Sequence, residues 1–346
     1  MDMSKIIADL CWGESVCVRQ AFIEQTSGRP IQFGLEELEK MDYTPFNGDP
    51  KLIEETAKVI LRQTGMTYKH VFLTNGATGG CTIALRACAI SGNMVAAVTN
   101  SPPYFPLYPG MALAAGLRHI TTEKEFNDMR GWETVFLLDT PANPSGLHAG
   151  LPEWYKGGGF VIWDAVYHNW VYSSILPPAP EHDIAVGSFS KLTGLNGIRI
   201  GWIATNNDWV AERVAKLIAA EYCGLSRPSK VILLSLLDEY SVDPEHRWGA
   251  FEKAARYNLD FNRGEWAKLK RYFAGTPVPV NGMFFYSPMD SAAKKLFHKS
   301  GVLWQSGEKC GTTDDFARFN IGQDCALIHN AVKSILKADK ISPSKT

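Results

Sequence analysis

Apolar runs of strand length alternate with segments of helical spacing over most of this chain. From Lys51, KLIEETAKVILRQ places apolar residues at helical spacing, and HVFLTN (70–75) then predicts a short buried strand. Further apolar runs predict strands at 94–99, 134–140, 159–165, 183–190 and 199–205. Because these runs are apolar throughout and are separated by helices or loops, they predict an α/β fold with a mostly parallel sheet covered by helices.

The pattern changes after about Pro228. A charged, helix-patterned stretch (246–273) leads to two predicted strands, GMFFYSPM and FARFNIG, with the helices SAAKKLFHKSG between them and DCALIHNAVKSILKA after them. This order predicts a smaller α+β C-terminal domain. We therefore expect an N-terminal segment (1–45) that packs on the small domain and at the mouth of the site, a large domain (46–227) and a small domain (228–346).

Composition and charge narrow the possible partners. The 346 residues carry 35 Lys and Arg against 36 Asp and Glu, a formal charge of −1, which argues against a broad electrostatic contact with nucleic acid or an anionic membrane. No apolar stretch approaches the length of about 18 residues that a membrane span needs, and the N-terminus lacks a signal-peptide pattern. The seven scattered cysteines include no C-x-x-C pair or metal-ligand cluster, so we expect a cytoplasmic protein with free thiols and no metal.

Side chains that can carry chemistry follow the predicted strands at their carboxyl ends. Asn143 opens an N-P-S-G turn, Asp164 and Tyr167 stand in D-A-V-Y, and Lys191 follows the strand 183–190. The carboxyl ends of parallel strands form one edge of a sheet, where ligands bind in α/β folds. These residues are therefore expected to share a site.

Lys191 stands out because its segment, SFSKLTGLNGIRIGW, is largely apolar and rich in glycine. Burial of an ammonium costs several kcal/mol unless the charge is neutralised or bonded. An imine with an aldehyde cofactor would resolve that cost. Taken alone, the same residue could also be an ordinary lysine of a surface loop.

A glycine-rich turn, TNGATGG (74–80), joins a predicted strand to a predicted helix. Its backbone N–H groups could hold a phosphate at the positive end of the helix dipole. Such turns are common, and each residue named above also has an ordinary structural explanation, such as an N-cap for Asp164 or a turn for Asn143.

The order of the motifs, N-P-x-G, D-x-x-Y, S-x-S-K and an arginine eight residues after the lysine, resembles the pyridoxal 5′-phosphate (PLP) enzymes of fold type I. This is the aspartate aminotransferase superfamily, with its class I and II aminotransferases. The resemblance runs from about Cys11 to the closing helix and implies a mostly parallel seven-stranded sheet with a smaller C-terminal domain. SKLTGLNGIRIGW and the early WGES are similar to the alliinase and tryptophan aminotransferase branch.

The resemblance implies a role for each matching residue. Lys191 would form the Schiff base with the cofactor and move the proton, Asp164 would pair with the ring nitrogen, and Tyr167 and Asn143 would bind the ring 3′-oxygen. The phosphate would be held by Gly76, Ala77, Thr78, Ser188 and Arg199, the ring face by Tyr104, and the phosphate of the neighbouring subunit by Tyr43. The substrate would be bound by Arg318, Gly13 and Asn143, with Arg318 on its α-carboxylate.

The implied function is an aminotransferase that exchanges an amino group between an amino acid and a 2-oxo acid, in a homodimer with shared sites. Relatives specific for aspartate carry a second arginine at a position that falls near Tyr222 here, so a neutral or aromatic substrate is favoured. The alternative is a PLP-dependent lyase or decarboxylase on the same scaffold, acting on an unusual amine or on an amino acid attached to a larger molecule.

Two further classes are disfavoured. A nicotinamide-dependent oxidoreductase needs G-x-G-x-x-G after an early strand, and TNGATGG does not match that spacing. A catalytically dead PLP-binding protein would usually lack the lysine or the aspartate, whereas Lys191 and Asp164 are both present.

Overall fold

A computed structural model describes residues 6–26, 45–46, 48–89, 95–129, 133–148, 150–156, 159–173, 176–242 and 248–341 of the chain. Within them the strands are β1 (Ala8–Asp9), β2 (His70–Thr74), β3 (Val95–Thr99), β4 (Arg118–Ile120), β5 (Glu133–Asp139), β6 (Phe160–Asp164), β7 (Ile184–Ser188), β8 (Gly201–Thr205), β9 (Phe284–Pro288), β10 (Val302–Leu303), β11 (Gln305–Ser306) and β12 (Phe316–Asn320). The helices are α1 (Val16–Thr26), α2 (Pro50–Thr64), α3 (Gly76–Cys88), α4 (Tyr108–Ala114), α5 (Glu123–Asp128), α6 (Phe189–Thr193), α7 (Asp208–Tyr222), α8 (Arg227–Val242), α9 (Gly249–Ala267), α10 (Ser291–Lys299) and α11 (Cys325–Ile341).

The central sheet has seven strands in the order β2-β8-β7-β6-β5-β3-β4. β8 runs antiparallel to both of its neighbours, β2 and β7, and the other neighbouring pairs are parallel. The predicted mostly parallel sheet is therefore confirmed. β5 and β6 are paired so that their last residues, Asp139 and Asp164, lie opposite each other. β7 ends beside them at Ser188, which places three strand ends at one edge of the sheet.

Local sequence signals explain the helix α2 well. The Asp49 side chain accepts a hydrogen bond from the amide of Lys51 at 3.0 Å, and Pro50 occupies the first turn. Gly65 ends the helix in the left-handed conformation, with φ of 70°. Leu52, Val59 and Ile60, which lie between these ends at helical spacing, are buried.

Helices cover both faces of the central sheet. On one face α3, α4 and α7 pack against apolar side chains of β5, β6, β7 and β8. On the other face α1, α2, α8 and α9 form a second core that includes Trp163 and Trp202. Gly80 allows α3 to approach the sheet, because a Cβ atom there would lie 2.9 Å from the Val186 side chain.

The smaller lobe is built on an antiparallel three-stranded sheet in the order β11-β12-β9. Its core is aromatic and contains Trp266, Phe273, Phe285, Phe297 and Phe319. The N-terminal strand β1 pairs with β10, and Ala8 and Leu10 are buried in this same core. The predicted small α+β lobe is confirmed as part of the fold, whereas the domain boundaries stay a prediction.

Two elements were not expected from the sequence. The sequence pattern predicts no helix within the first 45 residues, yet Val16–Thr26 form α1, which packs against α9. The strand β4 has only three residues, two of them the polar Arg118 and His119, so it lacks an apolar run.

Among the described residues, no helix combines the length and the apolar character needed to cross a membrane. No group of three or more His, Cys, Asp or Glu side chains in that part of the chain is arranged to hold a metal ion. All seven cysteines lie in the described part and are free thiols.

Candidate active site

A cavity of about 400 Å³ lies at the carboxyl edge of the central sheet, between the sheet and the smaller lobe. Its wall is formed by the ends of β5, β6 and β7, the start of α3, the helix α6, the strands β9 and β12, and the segment Cys11–Glu14. Most of the predicted site residues line it: Gly13, Ala77, Thr78, Asn143, Asp164, Tyr167, Ser188, Lys191, Arg199 and Arg318. The prediction that these strand-end residues meet is supported by this geometry.

Lys191 reaches the cavity from α6, which begins where β7 ends. The Ser188 side chain caps the helix by accepting a hydrogen bond from the Ser190 amide at 3.1 Å. The Lys191 amine donates to the backbone oxygen of Gly13 and lies 3.4 Å from Oδ1 of Asn196. Burial, together with the positive charges of Arg199 and Arg318, lowers the pKa of Lys191 to about 8. With a pKa of about 8, roughly a tenth of this amine is neutral, and nucleophilic, near pH 7.

The start of α3 and Arg199 form a corner suited to an anion. The N-terminal N–H groups of α3 have no side-chain cap from Asn75. Gly76 is not itself in the cavity wall. It leaves room for the Arg199 guanidinium, because a Cβ atom on Gly76 would lie 2.3 Å from Nη2. Unpaired helix N–H groups and a guanidinium are both ligands that phosphate prefers. The Ser188 hydroxyl is already engaged, because it donates to the backbone oxygen of Ile200 at 3.2 Å.

Asp164 lines the same cavity from the end of β6. Its Oδ1 accepts from the Val166 amide at 3.1 Å, and its Oδ2 accepts from the Tyr108 hydroxyl at 2.9 Å. Burial raises the pKa of Asp164 to about 6. A cationic partner, such as a protonated ring nitrogen, would favour the charged carboxylate here.

Asn143 and Tyr167 also line the cavity. Oδ1 of Asn143 accepts from Nη1 of Arg318 at 3.3 Å. The Tyr167 ring packs edge-on against Phe284, with centroids 6.0 Å apart. Burial raises the pKa of Tyr167 well above its ordinary value, so its hydroxyl keeps its proton as a donor.

The structure does not bring Tyr104 to the cavity. Its ring packs edge-on against His119, with centroids 5.2 Å apart, and closes against Gly311, where a Cβ atom would lie 2.5 Å from the ring. The next residue, Phe105, lines the cavity instead. Tyr43, the other predicted aromatic, lies outside the described residues.

Arg318 lies at the mouth of the cavity on β12 and is 4% exposed. Its Nη2 donates to the backbone oxygen of Cys11 at 3.1 Å, and its guanidinium carbon stands 4.4 Å over the Phe284 ring. Two positions along, the Asn320 amide donates to the backbone oxygens of Trp12 at 2.5 Å and Glu14 at 2.7 Å. β12 therefore fixes the segment Cys11–Glu14 over the cavity.

Several site residues escaped the sequence reasoning. Asp139 ends β5 as Asp164 ends β6, so the strand-end argument could have found it. Phe105 and Tyr108 stand in the same PPYFPLY segment as Tyr104, but nothing in that segment distinguishes the three rings. Asn320 follows Arg318 by two residues on one strand and so shares its face.

Three buried polar atoms of the cavity lining favour the binding of a polar ligand here. Among the described residues, Oγ of Ser190, Nδ2 of Asn196 and Nε of Arg318 are buried and make no hydrogen bond. All three residues line the cavity. Since such atoms are usually paired in folded proteins, a polar ligand that carries donors and acceptors fits here.

Comparison with known proteins agrees with this geometry. The sequence profile of the family described as "Aminotransferase class I and II" matches residues 15–335. Tryptophan aminotransferase-related protein 1 of Oryza sativa subsp. japonica is 28% identical over 220 residues, which cover 60% of this chain and 48% of that protein. Tryptophan aminotransferase-related protein 3 of Arabidopsis thaliana is 22% identical over 356 residues, covering 89% of this chain and 76% of that protein.

The fold is also that of a solved aminotransferase. The crystal structure of the aromatic aminotransferase from Pyrococcus horikoshii OT3 superposes with a TM-score of 0.75 at 17% identity, covering 98% of this chain and 96% of that chain. This likeness shows the fold. The chain spans about half the length of the rice relative that it matches.

Proposed function

Because this chain belongs to the class I and II aminotransferase family, with the fold type I architecture and PLP as its cofactor, we propose that it moves an amino group between an amino acid and a 2-oxo acid. The observation that carries the proposal is that one buried, partly neutral lysine amine and one buried carboxyl group line a single cavity. These groups belong to Lys191 and Asp164. A PLP site needs both groups, one for the cofactor aldehyde and one for the ring nitrogen.

The residues present fit this cofactor. Arg199 and the start of α3 would hold its phosphate, Asn143 and Tyr167 its 3′-oxygen, and Asp164 its ring nitrogen. Phe105 lines the cavity and offers a ring to pack on the cofactor. When bound, PLP supplies an aldehyde that condenses with amines and a ring that accepts the electrons of the bond broken at the substrate α-carbon.

Lys191 is the general base in this proposal. Burial holds its pKa at about 8, so near neutral pH the amine can accept a proton from the substrate α-carbon and return it elsewhere. The backbone oxygen of Gly13 and Oδ1 of Asn196 orient the amine. Arg318 would bind the substrate carboxylate through its planar pair of N–H groups, a task to which a guanidinium is suited.

A neutral or aromatic substrate side chain suits the mouth of the cavity. The cations of the described lining are Lys191, Arg199 and Arg318, and the proposal already uses all of them. Trp12 and Leu107 add exposed apolar surface there, and Glu14 would repel a second carboxylate. Tyr222, near the position predicted for a second arginine, is half-buried beside the Asn75 backbone.

We also propose a cytoplasmic homodimer with shared sites, in which Tyr43 reaches the phosphate of the neighbouring subunit. The free cysteines support a reducing compartment. Phe46 and Leu107 are close in sequence to predicted site residues and are 49% and 50% exposed. They therefore offer apolar surface to a neighbouring subunit. Division into segments 1–45, 46–227 and 228–346 remains part of the same proposal.

The test begins with the purified protein and added PLP. We expect the visible absorbance of a lysine imine, its loss on borohydride reduction, and its absence in Lys191→Ala. The control Lys216→Ala removes an exposed lysine that pairs with Glu212 and should keep the colour. A wild-type protein that stays colourless with added PLP would refute the proposal.

Amino donors then distinguish the reaction types. A transaminase consumes a 2-oxo acid in equal amount to the donor that it deaminates. Release of carbon dioxide, or of ammonia without any 2-oxo acid consumed, would favour the lyase or decarboxylase alternative on the same scaffold.

A further inference from the structure

Lys191 is bonded at both of its ends to one short stretch of the chain, residues 13–15. At its side-chain end, the amine donates to the backbone oxygen of Gly13. At its backbone end, the Lys191 carbonyl oxygen accepts a hydrogen bond from the Tyr172 hydroxyl at 3.0 Å, and that hydroxyl lies 2.8 Å from Oγ of Ser15. Residues 13–15 therefore contact Lys191 both directly and through Tyr172.

The direction of these bonds follows from the chemistry of the groups. A carbonyl oxygen can only accept, so Tyr172 gives its single proton to Lys191. The Tyr172 oxygen is then an acceptor, and Ser15 donates to it. The Met283 sulfur lies 3.2 Å from the same Ser15 oxygen, but a thioether is the weaker acceptor of the two. The donors therefore run from Ser15 to Tyr172 to the Lys191 backbone.

Tyr172 is itself firmly placed. Its side chain and that of Ser15 are fully buried, and its ring packs edge-on against Tyr167 with centroids 5.3 Å apart. Its backbone oxygen accepts from Arg263 at 3.2 Å. Lys191 is among the last four residues of α6, whose carbonyl groups have no partner within their own helix. Tyr172 supplies a donor to one of these carbonyl groups.

Helix α1, which begins directly after Ser15, packs closely on the end of α6. Gly194 follows α6 with φ of +73°, and a Cβ atom there would lie 2.4 Å from the backbone nitrogen of Arg19 on α1. The N-terminal part of the chain therefore fixes α6 by this contact and by the bonds through Tyr172. The position of the Lys191 amine depends on these contacts of its backbone as well as on its own side chain.

We propose that Tyr172 is a positioning residue of this site, which anchors the Lys191 backbone, with Ser15 as its own donor, and so holds the amine at the cavity. Tyr172 stands outside the cavity lining, so it acts only through Lys191. A reacting group that is displaced from its geometry loses rate steeply, which makes such an anchor important. The inference rests on the proposed function, because that proposal makes Lys191 the reacting amine.

Four variants separate this role from ordinary packing. Tyr172→Phe removes the hydroxyl and keeps the ring that packs on Tyr167. Ser15→Ala removes the donor to Tyr172, and a double variant combines both changes. The matched control is Tyr155→Phe, because Tyr155 is also buried and its hydroxyl bonds to Oγ1 of Thr134 at 3.0 Å in a separate apolar cluster.

The first measurement is the pKa of the Lys191 amine in the full-length protein without cofactor. It comes from the pH dependence of acetylation by dilute acetic anhydride, followed for Lys191 by peptide mass spectrometry. The charged groups that face the amine are Arg199, Arg318 and Glu14. All of them are kept in every variant, so a change of this pKa reports a change in the position of the amine.

We expect a pKa of about 8 in the wild type and the same value in Tyr155→Phe. In Tyr172→Phe the amine gains contact with water, so its pKa should rise by about one unit or more. Ser15→Ala should raise it less. The double variant should raise it no further than Tyr172→Phe does, because Ser15 acts through Tyr172.

The second measurement adds PLP and follows the growth of the visible absorbance of the lysine imine at pH 7. A rise of one pKa unit leaves about tenfold less neutral amine at this pH. Imine formation in Tyr172→Phe should therefore be about tenfold slower, and Tyr155→Phe should keep the wild-type rate. A merely structural role of the hydroxyl would lower the melting temperature of Tyr172→Phe without moving the amine pKa.

The outcomes separate this inference from the proposed function. A wild-type protein that forms no imine with PLP overturns both. If the wild type forms the imine but Tyr172→Phe keeps its amine pKa and its rate, only the anchor is wrong. The anchor is also wrong if Tyr155→Phe shifts both values as far, or if the double variant shifts the pKa by the sum of its two single changes. Should Tyr172→Phe fail to fold, the comparison of Ser15→Ala with Tyr155→Phe still decides.

Discussion

The carboxyl group of Asp164 lines the cavity, is buried, and accepts hydrogen bonds from Val166 and Tyr108. Burial raises its pKa from the ordinary 3.8 to about 6 in the folded protein. The folded state therefore holds this proton at pH values where the unfolded chain has already lost it. By linkage, the free energy of unfolding falls as the pH rises from about 4 to 6 and stays lower above that range.

We predict that Asp164→Asn stabilises the protein without cofactor at pH 7 by about 3 kcal/mol, since the pKa of Asp164 rises from 3.8 to about 6 on folding and a shift of one pKa unit corresponds to about 1.4 kcal/mol. The gain should fall to about 0.5 kcal/mol near pH 4, where the carboxyl group is protonated in the folded state and partly protonated in the unfolded chain. Urea unfolding of the two apo proteins at pH 4 and pH 7 measures this difference. The same variant should lose activity, as expected where a site is built at a cost in stability.

A control for this prediction is Asp208→Asn. Asp208 is exposed and accepts hydrogen bonds from Lys69 and His70, which hold its pKa below the ordinary value. The Asp208→Asn substitution should not raise the free energy of unfolding at pH 7. If the Asp164→Asn protein is no more stable than wild type at pH 7, the buried Asp164 carboxylate does not lower the free energy of unfolding, and the prediction is wrong.

Single residues also mark the limit of what the sequence could predict. Lys191, Asn143, Asp164 and Arg199 follow from motif order, because each stands at a fixed place relative to a strand end. The choice between Tyr104 and Phe105 does not, because adjacent aromatic rings of a loop differ only in tertiary contacts. Here the Tyr104 amide donates to the backbone oxygen of Cys310 at 3.1 Å, a contact between distant parts of the chain.

At the scale of elements, the strands of the central sheet were predictable because their apolar runs are continuous. The prediction for 183–190 extended two residues too far, since the strand ends at Ser188 and Lys191 lies on the helix α6. That boundary depends on the cap that Ser188 supplies to Ser190. The short β4 was missed because its position at the sheet edge, and not its sequence, makes it a strand.

The start of α3 gives a prediction at this scale. Gly76 has φ of +71°, and a Cβ atom there would meet the Arg199 guanidinium at 2.3 Å. Gly65, at the end of α2, has nearly the same φ of +70° but open space around it. Alanine at either position costs about 1 kcal/mol of backbone strain. Only Gly76→Ala should also displace Arg199.

We therefore predict that both variants melt at a lower temperature, and that only Gly76→Ala binds PLP more weakly, by about tenfold or more, through the loss of charge-assisted bonds to the phosphate. Thermal melting of the apo protein and PLP titration separate the two effects. Equal PLP affinities for Gly76→Ala and Gly65→Ala would mean that Arg199 does not hold the phosphate at this corner.

At the scale of the whole molecule, the N-terminal segment, the smaller lobe and the cavity form one connected structure. β1 pairs with β10 in the smaller lobe, and the chain then crosses the cavity at Cys11–Glu14. Arg318 and Asn320, both on β12, hold that crossing by its backbone oxygens. The predicted substrate ligand Arg318 therefore also holds the segment Cys11–Glu14 in place, and we expect carboxylate binding and movement of this segment to be coupled.

Asn320→Asp tests that coupling with little change of shape. The carboxylate can still accept from the Gly322 amide, as Asn320 does at 2.8 Å, but it cannot donate to Trp12 and Glu14. We predict faster amide hydrogen exchange at residues 11–14 and a KM for the amino acid raised about tenfold, with the imine colour retained.

The matched control is Asn262→Asp, which removes a similar double donor to Ile321 and Gln323 away from the crossing. If Asn262→Asp raises KM as much, general loss of stability explains the effect. If Asn320→Asp leaves exchange at 11–14 unchanged, β12 does not hold the segment.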